Sequence, residues 1–173
     1  GVYIISSGNV SVYAFNERFR SADGTVILPI TTLGKDYFIT SHFEVMTTTV
    51  NYEANQNNES TLLVVGVENN TRVEITPSVW TLTGNAPLVP FFIDLNRGQS
   101  YQIKARGDLT GTRVRVVGEN VEECKNLAVF GGNKWSSVGD CGQANDNLFQ
   151  QAYPYSCWRM VFHKICISIS VGH

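Results

Sequence analysis

Thr61-Leu62-Leu63-Val64-Val65-Gly66-Val67 and Arg72-Val73-Glu74-Ile75-Thr76 stand on either side of Glu68-Asn69-Asn70-Thr71. In the second run Val73 and Ile75 alternate with Arg72, Glu74 and Thr76, the period-two pattern of a half-buried strand. The first run is rich in Val, a strand-favouring residue. Asn accepts the positive φ of a tight turn, so the whole stretch reads as a β-hairpin with Asn69 at its tip. A second hairpin reads from Phe91-Phe92-Ile93-Asp94 through Asn96-Arg97-Gly98 into Tyr101-Gln102-Ile103-Lys104. A third brackets Val117-Gly118-Glu119-Asn120 between Thr112 to Val116 and Leu127 to Phe130. Upstream, Val10, Val12 and Ala14 alternate with Ser11, Tyr13 and Phe15; near the end, Ile165, Ile167, Ile169 and Val171 alternate with Cys166, Ser168 and Ser170. Successive hairpins imply antiparallel pairing. The expected fold is therefore all-β, one domain over residues 1–173, as an antiparallel β-sandwich or jelly-roll-like arrangement. Repeated hairpin blades, propeller-like, are the alternative.

Composition agrees. Val, Ile and Thr supply 45 of 173 residues, weighting the chain toward strands. Charged residues are 16%, against about 25% in ordinary soluble domains, so uncharged polar groups must cover the outside. A net charge of −2 gives no electrostatic footprint for nucleic acid or an anionic membrane. No apolar run reaches the roughly 18 residues of a spanning helix, so membrane insertion is not expected. The opening Gly1-Val2-Tyr3 has neither an initiator Met nor a basic leader, as expected of a processed or excised piece. Helical pattern is scarce: Gln143 to Gln151 reads as at most a short turn or loop, and Gly131 to Ser156 is the longest stretch without strand pattern. Asn51 to Ser60 reads as an exposed polar loop.

Four cysteines, Cys124, Cys141, Cys157 and Cys166, make an even count compatible with two disulfides in any of three connectivities. Three glycosylation sequons accompany them, at Asn9, Asn58 and Asn69. Together they favour a secreted or cell-surface chain. Catalytic signals are missing: there are three histidines and no metalloprotease, nucleophile-elbow or phosphate-loop motif, so no enzyme is expected. His163, Cys166 and His173 make a poor zinc set, because residues 163 and 166 fall on opposite faces of a strand. Asp140, Asn145, Asp146 and Asn147 could offer oxygens to Ca²⁺, but turn-forming side chains in a solvated loop are the favoured reading, and no cofactor is expected. Aromatic residues are the better prospect for function. Trp135, Tyr153, Tyr155 and Trp158 lie beside Gly, Pro and Cys and are the first candidates for a recognition surface. Tyr13 and Phe15 read instead as core under a second sheet.

Particular blocks carry a resemblance. Val10-Ser11-Val12-Tyr13-Ala14-Phe15-Asn16, Ser21-Ala22-Asp23-Gly24 with Leu28-Pro29, Leu33-Gly34-Lys35-Asp36-Tyr37, Glu68-Asn69-Asn70-Thr71 with Ile75-Thr76-Pro77, Gly107-Asp108-Leu109-Thr110-Gly111-Thr112, and Ala128-Val129-Phe130-Gly131-Gly132-Asn133 occur in this order. Together they resemble the IgGFc-binding protein N-terminal domain family. The resemblance implies an extracellular, non-enzymatic, β-rich module of mucus-associated, adhesive or defence proteins. The family name records immunoglobulin Fc binding in a mammalian member, an activity not carried onto this chain. Beyond Asn133 the chain departs from the family pattern. Trp135 stands where a first cysteine is expected, Cys141 keeps the second, Asp146-Asn147-Leu148 replaces Asp-His-Leu, and Tyr153 to Trp158 echoes a Pro-Pro-x-x-x-Trp segment. Against that pattern Cys141 with Cys157 is the preferred pair, leaving Cys124 with Cys166. The resemblance also implies that the chain stops about halfway through the usual family domain. The expected function is recognition of secreted or cell-surface glycoproteins, with self-association as a second partner class. A structural subunit of an extracellular polymer and a lectin with an aromatic or Ca²⁺-assisted sugar site are the alternatives.

Overall fold

The computed structural model describes residues 2–18, 21–43, 58–118, 125–136 and 146–157. Strands β1 (Val12–Arg18) and β2 (Ser21–Ile27) form a separate antiparallel ribbon. β3 (Asp36–Phe38), β4 (Ser60–Gly66), β5 (Thr71–Thr76), β6 (Phe91–Leu95), β7 (Ser100–Ala105), β8 (Arg113–Val116), β9 (Leu127–Ser136) and β10 (Asp146–Gln151) build two four-stranded sheets. Sheet I has the order β10-β9-β4-β7 and sheet II the order β3-β8-β5-β6, every pairing antiparallel. The all-β sandwich expected from the alternation is the observed fold.

The pairing within it differs from the expected one. β4 lies in sheet I and β5 in sheet II, so Asn69-Asn70 closes an arch between sheets and not a hairpin. The same holds for β6 to β7 and for β8 to β9. The turn conformation expected of Asn is present, since Asn70 has φ 54°; Gly98 also takes a positive φ, 77°. What local pattern cannot encode is whether the returning strand pairs beside its predecessor or packs beneath it. The burial demand decides. Leu62 and Val64 of β4, with Ile103 of β7 and Val129 of β9, make one inner face; Val73, Ile75 and Val114 make the other, and all are fully or almost fully buried. Burying each of these side chains stabilises the fold by about 1.5–3 kcal/mol, and side-by-side hairpins would leave those faces in water.

Two arches cap each other. Arg97 N–H donates to Asn69 Oδ1 at 3.1 Å, Asn70 N–H to Asn96 Oδ1 at 3.0 Å, and Gly98 N–H to the Gly66 carbonyl at 2.8 Å. A Cβ on Gly66 would stand 2.6 Å from the Asn96 carbonyl, so only glycine lets the arches approach.

Three further expectations are corrected. Tyr13 and Phe15 are 59% and 79% exposed, because their ribbon stands off the sandwich and no second sheet among the described residues covers them. Residues 131–156 are not strandless: β9 continues to Ser136 and β10 runs from Asp146. Gly131-Gly132 hid this, since it breaks the alternation for a packing reason. A Cβ on Gly131 would collide with the Thr40 carbonyl, and one on Gly132 with the Leu148 carbonyl. Ser60, the last residue of the expected polar loop, opens β4 and is buried. The alternating segment Ile165 to Val171 lies outside the described residues.

Tyr37 ties β3 to the start of β9. Its ring is fully buried, its hydroxyl donates to the Leu127 carbonyl at 2.6 Å, and it accepts from Gly34 N–H at 2.8 Å. Burial pushes the phenol up to about 12, although the Gly34 hydrogen bond pulls the other way. A raised value means that the neutral phenol belongs to the folded state. Its contribution is complete below the unfolded value near 10 and is lost as pH climbs through 12. We expect Tyr37→Phe to lower stability in urea by roughly 1–3 kcal/mol, the cost of stranding two buried partners, and to flatten the alkaline decline between pH 10 and 12. An unchanged midpoint would remove Tyr37 as a tie.

Candidate functional site

The two edges of sheet I are covered in unusual ways, and both covers present groups to solvent. At the β7 edge lies the connection between β5 and β6, residues 77–90. Proline at positions 77, 87 and 90 restricts its backbone. Its hydrogen bonds close it on itself: Leu88 N–H donates to the Pro77 carbonyl at 2.8 Å, Thr81 N–H to the Asn85 carbonyl at 3.1 Å, and Asn85 N–H to Thr81 Oγ1 at 2.9 Å. It docks on β7 through Leu82 N–H to the Lys104 carbonyl at 2.8 Å and a Thr81–Ala105 bridge. The loop nevertheless leaves Trp80, Leu82, Leu88 and Val89 exposed, Trp80 at 63% and Leu88 at 78%. Leu88 also adopts φ 62°, a left-handed conformation that costs a bulky residue of order 1–3 kcal/mol. A tightly bonded loop that holds a strained leucine and a tryptophan in water has the make-up of a binding hot spot.

At the β10 edge stands the β1–β2 ribbon, turned so that one face meets the strand. Side chains two residues apart on β2 take the edge amides: Asn147 N–H donates to Ser21 Oγ at 2.8 Å, Phe149 N–H to Asp23 Oδ2 at 2.7 Å, and Gln151 N–H to Thr25 Oγ1 at 3.0 Å. In return Ser21 Oγ donates to Asp146 Oδ1 and Asn147 Oδ1, both at 2.7 Å, and Leu28 N–H to Gln151 Oε1 at 2.8 Å. Side-chain oxygens thus replace the carbonyls of a neighbouring strand, which satisfies the edge and blocks it to other chains. The stand-off leaves a recess on either side of the seam. One of about 450 Å³ includes Thr40, Gly131 and Tyr153; one of about 330 Å³ includes Leu63, Gln102, Lys104, Phe130 and Phe149. Phe130 and Phe149 stack at 5.4 Å. Close by, Glu59 is flanked by Lys104 at 3.3 Å and Lys134 at 3.8 Å.

The outer face of sheet II is occupied with itself. Arg113 forks onto Asp36 at 3.0 and 2.7 Å, and Arg115 onto Glu74 at 2.7 and 2.9 Å. Arg113 also lies over Phe38, whose ring meets Tyr155 edge-on. Charges neutralised this way offer little to a partner.

The sequence-predicted sites fall in several places. Tyr153 lines the larger recess and Tyr155 packs by Phe38; neither recess includes Trp135, so these three do not converge. Trp158 lies outside the described residues, as do Cys124, Cys141 and Cys166; Cys157 is half-buried. Asn9 and Asn69 are exposed. Sugar attaches through the amide nitrogen, so the Asn69 Oδ1 cap is compatible with a glycan. Asn58, by contrast, is only 1% exposed in the fold. Asp140 and Asn145 are outside the described residues, whereas the oxygens of Asp146 and Asn147 serve the ribbon. Among the described residues no group of His, Cys, Asp or Glu could hold a metal ion. The sequence reading missed Trp80 and Leu88. The three prolines around Trp80 were the available signal, and no alternation marks a residue as exposed within a loop.

The described residues thus form an antiparallel sandwich with apolar side chains exposed on a braced loop. The chain belongs to the IgGFc binding protein family, whose model matches residues 23–162. This is a family of binding domains, typically extracellular. No curated protein and no solved structure matches the chain. Among the described residues no helix is long and apolar enough to cross a membrane.

Asp146 gives the ribbon a pH dependence. The Ser21 hydroxyl, with the N–H groups of Asn147 and Ala22, holds its carboxyl below the usual range, against a smaller opposing effect of burial. A depressed value means that docking is fully supported above the ordinary carboxylate value of about 4 and weakens as pH falls through the lower, folded one. Amide exchange should show the protection of Asn147 and Ala22 falling once the pH drops below about 4, corrected for intrinsic rates, while Val64 in the sheet centre holds. Equal loss at all three positions would contradict this.

Proposed function

We propose that this chain is a non-enzymatic extracellular recognition module that binds secreted or cell-surface glycoproteins through the 77–90 loop. The observation that carries the reading is the exposure of Trp80 and Leu88 on a loop braced by its own hydrogen bonds, with Leu88 held at φ 62°. Strain of this kind persists only where the surroundings enforce it, and a rigid apolar anchor loses little entropy on binding. Membership of a family of binding domains supports the reading. The low charge of the chain suits partners met by shape and apolar contact more than by electrostatic steering.

The test uses immobilised secreted glycoproteins, purified mucin among them, before and after enzymatic deglycosylation. Trp80→Ala should weaken binding at least tenfold, with a change in unfolding free energy under about 1 kcal/mol, as befits an exposed side chain. Leu88→Gly should weaken binding while maintaining or raising stability, because glycine accepts the left-handed backbone. Binding unaffected by both substitutions would contradict the reading, as would no binding to any glycoprotein. Deglycosylation separates recognition of protein from recognition of sugar.

A further inference from the structure

The ribbon of β1 and β2 is joined to the sandwich differently from every other strand. Each of its bonds to β10 involves a side chain, with no ladder of main-chain pairs, and none of its residues belongs to the buried hydrophobic core. It brings its own integrity: seven consecutive antiparallel pairs, from Val12–Ile27 to Arg18–Ser21, lie within it. One covalent tether leads from it into the sandwich, from Leu28 to the Gly34 anchor beneath Tyr37, and the segment before β1 adds a single surface contact, Arg97 over the Tyr3 ring at 4.4 Å. That tether contains Pro29 at φ −65° and a single 3₁₀ turn, Ile30–Thr32, with no buried residue. Extended, residues 29–33 span roughly 17 Å. When the ribbon leaves, water can satisfy its polar groups, and the vacated β10 edge presents the amides of Asn147, Phe149 and Gln151 in a row. The surface that fits that row is the Ser21, Asp23 and Thr25 face of the ribbon, which every copy of the chain carries. Recesses flank the seam, and what separation exposes is a narrow polar strip, Ser21 and Thr25 against Asn147 and Gln151.

We propose that the β1–β2 ribbon is exchangeable: it swings about residues 29–33 and docks on β10 of a second copy, so that two chains trade ribbons. Tyr13, Phe15 and Val26 lie on the opposite face of the ribbon and stay exposed in either arrangement, so the exchanged seam repeats the contacts of the monomer. This is a self-association route that requires neither a disulfide nor a new surface. It stands apart from the 77–90 loop and does not depend on its role.

Isotope-hybrid trapping tests it. Ser21→Cys with Asn147→Cys places a thiol on each side of the seam. Unlabelled and ¹⁵N-labelled protein are mixed in equal amounts, held at millimolar concentration, diluted, oxidised and digested, and the 21–147 linked peptides are weighed. Exchange predicts that linked peptides pairing one light and one heavy half approach half of the total, and that they are few when the mixture is kept dilute throughout. Linked peptides of uniform isotope at every concentration would overturn the proposal. If the pair does not oxidise, light scattering on the unsubstituted protein decides. A slowly interconverting dimer that Pro29→Gly shifts in proportion supports exchange, and a monomer at millimolar concentration overturns it.

Discussion

Two arches at one end of the sandwich, bound to each other through Asn69, Asn70 and Asn96, hold in place the crossing that burial of both inner faces demands. Because β4 to β5 and β6 to β7 both cross there, β4 takes its partners from β7 and β9, distant in sequence, and β5 takes β6 and β8. The inner faces then meet as Leu62, Val64, Ile103 and Val129 against Val73, Ile75 and Val114. Remove the crossing and the same strands become exposed ribbons with their valines in water. The long 77–90 connection follows from the same constraint. β5 and β6 pair within sheet II, and the chain between them folds against the β7 edge of the other sheet.

Edge protection is the second theme. A sheet of four strands has two edges, each a row of unpaired backbone groups open to association. At β7 the cover is a loop that bonds at Thr81 and Leu82 and presents Trp80 and Leu88. At β10 the cover is a ribbon whose hydroxyls and carboxylate imitate strand carbonyls. Function is proposed at both places, since a cover that must sit on the surface is free to carry side chains that the core does not need.

Alternation in 10–15 and in 72–76 disclosed strands, and the Asn-rich link at 68–71 disclosed a turn with positive φ. The sandwich was legible from these. Partner choice was not, because a four-residue link of the same composition serves a hairpin or an arch, and only the burial of both faces separates them. β10 was illegible because Asp146 and Asn147 look like turn formers until Ser21 is placed against them. Tyr13 and Phe15 misled for the opposite reason: their neighbours alternate as core strands do, but no sheet among the described residues lies above the ribbon. Asn58 carries a valid sequon and is buried, since a sequon reports three residue types and nothing of their surroundings.

The arches are the point on which everything else rests, and cross-strand NOEs in a ¹³C,¹⁵N-labelled sample test them most directly. The account predicts contacts linking Val64 with Val129 and Tyr101, and Val73 with Val116 and Ile93, which are the registers of the two sheets. A ladder joining Ser60–Gly66 directly to Thr71–Thr76 across Asn69-Asn70 would contradict it.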